Sequence, residues 1–140
     1  MTASNTVEGL QRRLSACGIR PSPQRVAIAE FVLHTTEHPT ADDVFRRVTR
    51  RHPAVSRATV YNTLQTFVSK GLLRPLVVSE GSIAYDPNMA PHHHFVDDRT
   101  GAIEDVPWDA IRVEQVDRLD GVEVRELSVV VRGTRGDEPA

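Results

Sequence analysis

The chain has 140 residues, of which 39% are hydrophobic and 26% charged, a composition typical of a globular protein that folds in water. No apolar run approaches the roughly 20 residues that a membrane-spanning helix needs, and the polar start, Met1–Asn5, lacks the basic and apolar parts of a signal peptide. Cys17 is the single cysteine and cannot form an internal disulfide. We therefore expect a cytoplasmic protein of one or two small domains that does not act at a membrane.

Charge is distributed unevenly along the chain. Residues 1–75 hold 11 Lys and Arg against 5 Asp and Glu, whereas residues 76–140 hold 6 against 14, so the net charge of −2 conceals a basic half and an acidic half. A basic module is typical of nucleic-acid binding, but small proteins also carry lopsided charge without functional meaning. The charge imbalance alone therefore does not distinguish nucleic-acid binding from a charge distribution without function.

Four helices are predicted in the basic half. Apolar residues recur there at helical spacing, and glycine, proline and capping residues mark the ends. Ser22 and Ser56 suit the N-cap position, and Thr40 with Asp43 has the form of a capping box. The predicted helices are Val7–Cys17, Pro23–Leu33, one that opens at Pro39–Asp43 and stops at His52–Pro53, and Arg57–Lys70.

The third and fourth predicted helices have the arrangement of a helix-turn-helix, because only the short connection Arg51–Val55 separates them. Two predicted strands, Leu72–Val78 and Ser82–Tyr85, follow around a hairpin turn at Ser79–Gly81. A helix-turn-helix followed by such a hairpin is a winged helix.

Candidate DNA contacts lie on the outward face of the fourth predicted helix. In this motif the N-terminal half of that helix enters the major groove, where Arg pairs with guanine, Asn or Gln pairs with adenine, and aromatic rings or Thr methyl groups pack on thymine. Arg57 and Tyr61 are the main candidates for reading bases, and arginines on the other helices suit phosphates; each single arginine would equally serve as a solvated surface charge. The candidates are Arg25, Arg57, Thr59, Tyr61 and Asn62, with Gln65 also outward and Arg46, Arg47, Arg50 and Arg51 as phosphate contacts.

The acidic half is predicted to combine three strands with one helix. The expected elements are strands at His92–Asp97, Ala102–Val106 and Val122–Val131 and a helix at Asp109–Leu119. These make a thin core, so we expect this part to complete its core by dimerising. The predicted fold class is α+β, with a winged-helix DNA-binding domain at residues 1–85 and an α/β dimerisation and metal-sensing domain at residues 86–140.

A metal site is predicted at His92–His94, where three of the six histidines stand together. Asp86 lies upstream, and Glu104 and Asp105 follow within the reach of a hairpin. Imidazoles and carboxylates without thiolates suit a divalent metal ion rather than a closed structural zinc site. Because side chains alternate along an extended segment, His92 and His94 should point one way and His93 the other. The alternatives are a solvated histidine run or a purification-tag scar, which the internal position and the flanking acids disfavour.

Several motifs strongly resemble those of the ferric uptake regulator (Fur) superfamily. They are His38–Phe45, Ser56–Leu64, Tyr85 with Asp86, and His92–His94, and the resemblance covers the chain from about Leu10 to Val131. It implies a dimeric winged-helix repressor that is not an enzyme, with a regulatory metal ion between a DNA-binding domain and a dimerisation domain.

Within that family the pattern is most similar to the peroxide-sensing repressors, PerR. The metal ligands that this resemblance implies are His38, Asp86, His92, His94 and Asp105. Aspartate at positions 86 and 105, rather than glutamate, favours the peroxide-sensing branch. Glu104 is the alternative to Asp105 if the register differs by one residue.

The resemblance also implies how a signal would be sensed. Hydrogen peroxide would oxidise His38 or His92 to 2-oxo-histidine when the site holds Fe²⁺, after which iron and operator DNA would be released. Mn²⁺ would support DNA binding without a response to peroxide, and Zn²⁺ would also fit in vitro. The chain would then be a stoichiometric sensor rather than a turnover catalyst.

One departure from the family concerns a structural zinc ion held by two Cys-x-x-Cys pairs. These pairs should fall at Asp97 and Thr100 and around residues 131–136, and no cysteine stands there. A Cys₄ zinc site is therefore excluded, and the dimer should rely on strand pairing and apolar packing.

Other functions also remain open from the sequence. One is an iron or manganese homeostasis regulator of the Fur kind, and another is a haem-responsive, Irr-like regulator that would use His93. A small metal-dependent enzyme would need Glu104 or His93 as a general acid or base and would leave the helix-turn-helix without a role. The last alternative function is that of a structural adaptor with a vestigial metal site.

Overall fold

A computed structural model describes residues 6–79 and 81–136 of the chain. Contacts divide it into two compact units, one that ends at Met89 and one that begins at Ala90, so the predicted domain boundary after Tyr85 lies shortly before this division. Glu80, in the predicted hairpin turn, lies outside the described residues, as do residues 1–5 and 137–140. No helix in the described part is long and apolar enough to cross a bilayer.

The four predicted helices of the first unit are confirmed, with ends that differ by a residue or two. They are α1 (Val7–Ala16), α2 (Pro23–Val32), α3 (Ala41–Thr49) and α4 (Arg57–Ser69). Ser22 and Ser56 accept the backbone N–H groups of Arg25 and Thr59, as expected of N-caps. Both arms of the Thr40–Asp43 capping box are present. These local contacts explain why the helices begin where they do.

The helices enclose a single apolar core in the first unit. The largest apolar side chains that are fully buried in it are Leu10, Leu14, Ile28, Leu64, Phe67 and Leu73. Cys17 packs against this core and is partly buried, as expected of a small apolar side chain. The apolar stripes therefore fix which face of each helix remains available to a partner.

A two-stranded antiparallel hairpin, β1 (Arg74–Ser79) and β2 (Ser82–Asp86), completes the predicted winged helix. The loop before α3 pairs with β2: the Tyr85 N–H donates to the Pro39 carbonyl at 2.8 Å, and Thr40 forms a bridge with Ala84. This pairing carries His38 to the end of β2.

The second unit is a three-stranded sheet in the order β4-β3-β5. Its strands are β3 (His93–Asp97), β4 (Ile103–Val106) and β5 (Val130–Gly133). Strands β3 and β4 are antiparallel, as predicted for the hairpin, whereas β5 runs parallel to β3. Val96 and Ile103 are the buried apolar side chains of this hairpin.

The predicted helix at Asp109–Leu119 is wrong. The segment contains only short 3₁₀ turns, at Trp108–Ala110 and Val116–Arg118, and Gln115 between them has φ of 66°. Val113 and Leu119 are 37% and 53% exposed, so a helix here would bury too little apolar surface to offset its ordering cost.

The predicted long strand at Val122–Val131 is also wrong for most of its length. Regular pairing begins only near Val129, whose carbonyl accepts the His94 N–H at 3.0 Å. Val122 and Val124 are 55% and 45% exposed and lie outside any described strand. The apolar alternation slips at Glu126, so no single face of a longer strand would be apolar throughout.

Candidate metal centre and DNA-binding face

In the first unit, the candidate metal ligands His38 and Asp86 form a buried pair, called the ligand pair below. The His38 Nε2 atom lies 3.3 Å from the Asp86 Oδ2 atom, and both side chains are nearly inaccessible to solvent. The Asp86 Oδ1 atom accepts the Asn88 N–H at 2.9 Å, which leaves Oδ2 directed at the imidazole. His38 adopts a left-handed φ of 53°, an uncommon conformation held here by the pairing of the next residue, Pro39, with β2.

In the second unit, the candidate metal ligands His92, His94 and Asp105 lie together and are called the ligand trio below. The Asp105 Oδ1 atom lies 3.4 Å from the His92 Nε2 atom and 3.8 Å from the His94 Nε2 atom. The two imidazoles meet edge to face with centroids 4.5 Å apart, and the candidate ligand atoms of the trio all lie within 4.8 Å of one another. Both histidines are buried, whereas Asp105 is partly exposed.

The contact of the His92 Nδ1 atom determines which nitrogen of the ring carries a proton. Its Nδ1 atom lies 2.6 Å from the Ala90 carbonyl oxygen, which can only accept, so Nδ1 carries a proton. In the neutral ring, Nε2 then presents a lone pair toward the Asp105 carboxylate, so two acceptors face each other beside a buried imidazole. Such an arrangement favours a cation between them, either a second proton or a metal ion.

His93 points away from the trio, as the alternation of side chains predicted. It is completely buried; its Nδ1 atom accepts the Val129 N–H at 2.9 Å, and its ring stacks on Trp108 with centroids 4.7 Å apart and planes 12° from parallel. His93 therefore joins β3 to the residue just before β5. The stack on Trp108 was missed in the sequence, because the two residues lie in separate segments without a shared pattern.

The choice between Glu104 and Asp105 is decided by the pairing of β3 with β4. Asp105 lies opposite His94 in this register, whereas Glu104 lies opposite Phe95. The Glu104 carboxylate is engaged elsewhere, since it accepts the Arg135 Nε–H at 2.9 Å. Asp105 is therefore the carboxylate on the histidine side.

The candidate DNA contacts on α2 and α4 separate into two groups. Arg25, Thr59 and Asn62 line a polar groove of about 240 Å³ between the start of α2 and the side of α4. Arg57 and Tyr61 are not part of that lining. Tyr61 is 47% exposed and close to Tyr85 of the hairpin, whose pKa is raised by burial and by this neighbouring phenol.

Arg57 is held against α3 by two contacts. Its guanidinium lies 4.4 Å above the centroid of the Phe45 ring and forms an ion pair with the Asp42 carboxylate. The predicted base-reading arginine is therefore engaged within the protein in the absence of DNA.

The predicted phosphate contacts on α3 and just after it also fall into two groups. Arg46 pairs with Asp43, and Arg47 pairs with Glu37 while lying over the Phe31 ring. Within residues 6–79 and 81–136, the Arg50 and Arg51 side chains have no acidic partner. The last two are thus the most available of the four for an external anion.

A sequence profile of the ferric uptake regulator family matches residues 16–132. The chain belongs to the ferric uptake regulator family. Members of this family are metal-dependent transcription regulators and not enzymes, and this membership confirms the resemblance of the motifs.

Two relatives of this chain are named as regulators of the peroxide response. The chain is 35% identical to the peroxide operon regulator of Bacillus subtilis over 117 residues. This aligned stretch covers 83% of this chain and 80% of that protein. It is 31% identical to the peroxide-responsive repressor PerR of Staphylococcus epidermidis, over 76% of this chain and 69% of that protein.

The fold is similar to that of solved regulators. The peroxide stress regulator of Campylobacter jejuni superposes with a TM-score of 0.68 at 26% identity, covering 95% of this chain and 98% of that one. The predicted fold class, a winged helix-turn-helix domain followed by an α/β domain, is thereby confirmed.

Proposed function

We propose that this protein is a homodimeric repressor that binds operator DNA when a divalent metal ion is held by His38, Asp86, His92, His94 and Asp105. We further propose that its signal is hydrogen peroxide, which inactivates the Fe²⁺-loaded protein by oxidising His38 or His92. The observation that carries the proposal is the ligand trio, in which a buried imidazole lone pair faces a carboxylate.

The donor set fits a divalent ion that accepts nitrogen and oxygen ligands. The trio supplies two imidazoles and one carboxylate, a set typical of non-haem Fe²⁺ sites, and it contains no thiolate that would favour a structural zinc ion. The proton on the His92 Nδ1 atom leaves Nε2 as the ligating nitrogen, and the Ala90 carbonyl fixes the orientation of the ring.

The ligand pair would complete the coordination that the trio leaves open. Three donors do not fill the four to six positions of a divalent ion, and His38 with Asp86 offers one more nitrogen and one more oxygen. Asp86 is separated from His92 by only five residues in sequence, which makes a shared ion compatible with chain connectivity. An ion held by both groups would link the DNA-binding unit to the sheet of the second unit.

The proposed response to peroxide is supported by the relatives that are named for it and by aspartate at positions 86 and 105. Bound Fe²⁺ would supply the one-electron chemistry that activates hydrogen peroxide beside an imidazole, without being consumed. In the overall change the peroxide would be reduced and the imidazole oxidised, with one oxygen atom added to a ring carbon of His38 or His92 and one water molecule released. An imidazole oxidised in this way is a poorer nitrogen donor, so the metal ion and then the operator would be lost.

The deciding experiment is mass spectrometry of the Fe²⁺-loaded protein after a brief, low dose of hydrogen peroxide. We expect the mass of one oxygen atom to be added to the peptide that contains His38 or to the one that contains His92, together with release of operator DNA. The matched control is the Mn²⁺-loaded protein, which should bind DNA and gain no oxygen. Loss of DNA binding without histidine oxidation would refute the peroxide mechanism and favour an iron or manganese homeostasis regulator.

The geometry does not favour a haem-responsive function. His93, the additional histidine that such a function would use, is completely buried, stacked on Trp108 and bonded to the Val129 N–H. Coordination of haem iron would have to break these contacts.

A further inference from the structure

Two residues of α3, Asp42 and Phe45, hold the side chain of Arg57, the candidate base-reading arginine. Asp42 lies in the first turn of α3, and its carboxylate pairs with the Arg57 guanidinium at the start of α4. The Phe45 ring, one turn further along α3, supports the face of the same guanidinium. Arg57 is thus placed by one anion and one aromatic ring, although its side chain remains 60% exposed.

The two contacts leave part of the guanidinium available. A guanidinium carries five N–H donors in a planar fork, so a carboxylate on one edge leaves donors on the other edge for a planar acceptor such as guanine. A flexible arginine without these contacts would instead turn toward the nearest phosphate, which strengthens binding to every sequence alike.

We propose that Asp42 is a specificity-determining residue that holds Arg57 for base recognition and prevents it from serving as a general phosphate contact. The Asp42 carboxylate acts in two ways. It orients the guanidinium of Arg57, and its negative charge makes the approach of a DNA phosphate to Arg57 less favourable. This inference rests on the proposed function, in which Arg57 contacts operator DNA.

The test compares two duplexes on Mn²⁺-loaded protein. The first is a duplex enriched from a random library by the unaltered protein, and the second is a scrambled duplex of the same length and composition. For Asp42→Asn we expect tighter binding to the scrambled duplex and no gain on the enriched one. The ratio of the two affinities should fall roughly 2- to 5-fold for each DNA-binding head, as the size of an exposed ion pair implies, and roughly 4- to 25-fold for a dimer.

Salt dependence gives a readout that a loss of structure would not produce. With Asp42→Asn, Arg57 becomes free to neutralise a phosphate, so the slope of log affinity against log salt on the scrambled duplex should steepen by about one unit per head. Asp42→Glu retains a carboxylate and should restore part of the lost selectivity.

A matched control removes a similar charge without touching Arg57. Glu37 pairs with Arg47, and its side chain is 58% exposed against 54% for Asp42. Glu37→Gln should change binding to both duplexes by the same factor. If Asp42→Asn does the same, so that the ratio of affinities is unchanged, the role of Asp42 is refuted.

Arg57→Ala separates this inference from the proposed function. If it leaves binding to both duplexes unchanged, Arg57 does not contact DNA and the role of Asp42 is refuted with it. If Arg57→Ala weakens the enriched duplex while Asp42→Asn leaves the ratio intact, only the role of Asp42 is overturned. Failure of the Mn²⁺-loaded protein to enrich any duplex would refute the proposed DNA-binding function itself.

Discussion

His92 and His93 are neighbours in the sequence, but the structure predicts opposite consequences when each is replaced by alanine. His93 contributes to the packing of the second unit, whereas His92 belongs to the ligand trio. The two variants should therefore separate protein stability from metal binding.

The expected cost of His93→Ala follows from its contacts. Removing a large, completely buried side chain costs about 2–5 kcal/mol. The cost for His93 should lie at the upper end of that range, because its stack on Trp108 adds about 0.5–1.5 kcal/mol beyond the buried area. The Val129 N–H would lose its acceptor. A compensation of about 1–3 kcal/mol comes from removing the buried His93 Nε2 atom, which has no hydrogen-bond partner among the described residues. The net loss should be about 2–4 kcal/mol.

His92→Ala should behave differently in the metal-free protein. The substitution removes a lone pair that faces the Asp105 carboxylate, so the relief of this contact offsets part of the lost packing. We expect the free energy of unfolding without metal to fall by less than it does for His93→Ala. Metal-dependent operator binding should be abolished, because a ligand is missing.

Urea unfolding of the metal-free variants and titration of Mn²⁺ into each would measure both quantities. His93→Asn is the matched control, since its side-chain oxygen can accept the Val129 N–H and should recover about 1 kcal/mol. With Mn²⁺ saturating and the protein folded, His93→Ala should retain operator binding. The reasoning is refuted if His93→Ala unfolds within about 0.5 kcal/mol of the unaltered protein, or if both variants lose metal binding equally.

Three further predictions concern the ligand trio, the helix cap and the DNA-binding face. Asp105→Asn should weaken Mn²⁺ binding at least about tenfold by competition titration, whereas Glu104→Gln, which affects the opposite side of β4, should leave it unchanged; equal effects would contradict the strand register. Burial tends to raise the pKa of Asp43, but hydrogen bonds from Thr40 and Arg46 outweigh it and lower that pKa. The ionised Asp43 carboxylate therefore stabilises the folded state at pH values above the ordinary aspartate pKa, and this contribution is lost as the pH falls below about 4. The difference in unfolding free energy between the unaltered protein and Asp43→Asn should accordingly shrink below that pH, and a constant difference would count against the capping box. Tyr61→Ala should reduce the preference for the enriched duplex without changing Mn²⁺ affinity, and an unchanged preference would move the reading surface elsewhere.

Much of the first unit was predictable because its signals are local. An N-cap such as Ser22 or Ser56 acts on backbone groups within three residues, and the Thr40–Asp43 capping box is equally short in range. The separation of His92 and His94 from His93 was also predictable, since alternation is a property of any extended chain. Family membership then followed from motifs that these local elements carry.

The second unit was predictable only in its hairpin. Strand β5 pairs in parallel with β3, and such pairing depends on segments far apart in sequence rather than on any turn between them. Apolar residues between Ile111 and Val124 resemble those of a helix and a strand, but several stay exposed and without regular pairing. Helix and strand propensity did not determine the structure of these segments, because no described surface packs against them.

The sequence by itself determined the helices of the winged helix, the face on which His92 and His94 lie, and the absence of a four-cysteine zinc site. Only the tertiary structure decided that His38 meets Asp86, that Asp105 rather than Glu104 faces the histidines, and that Arg57 rests on Phe45 beside Asp42. The physical reason is one of range. Caps and side-chain alternation are fixed by covalent geometry over a few residues, whereas these contacts depend on how strands pair and helices pack between distant parts of the chain.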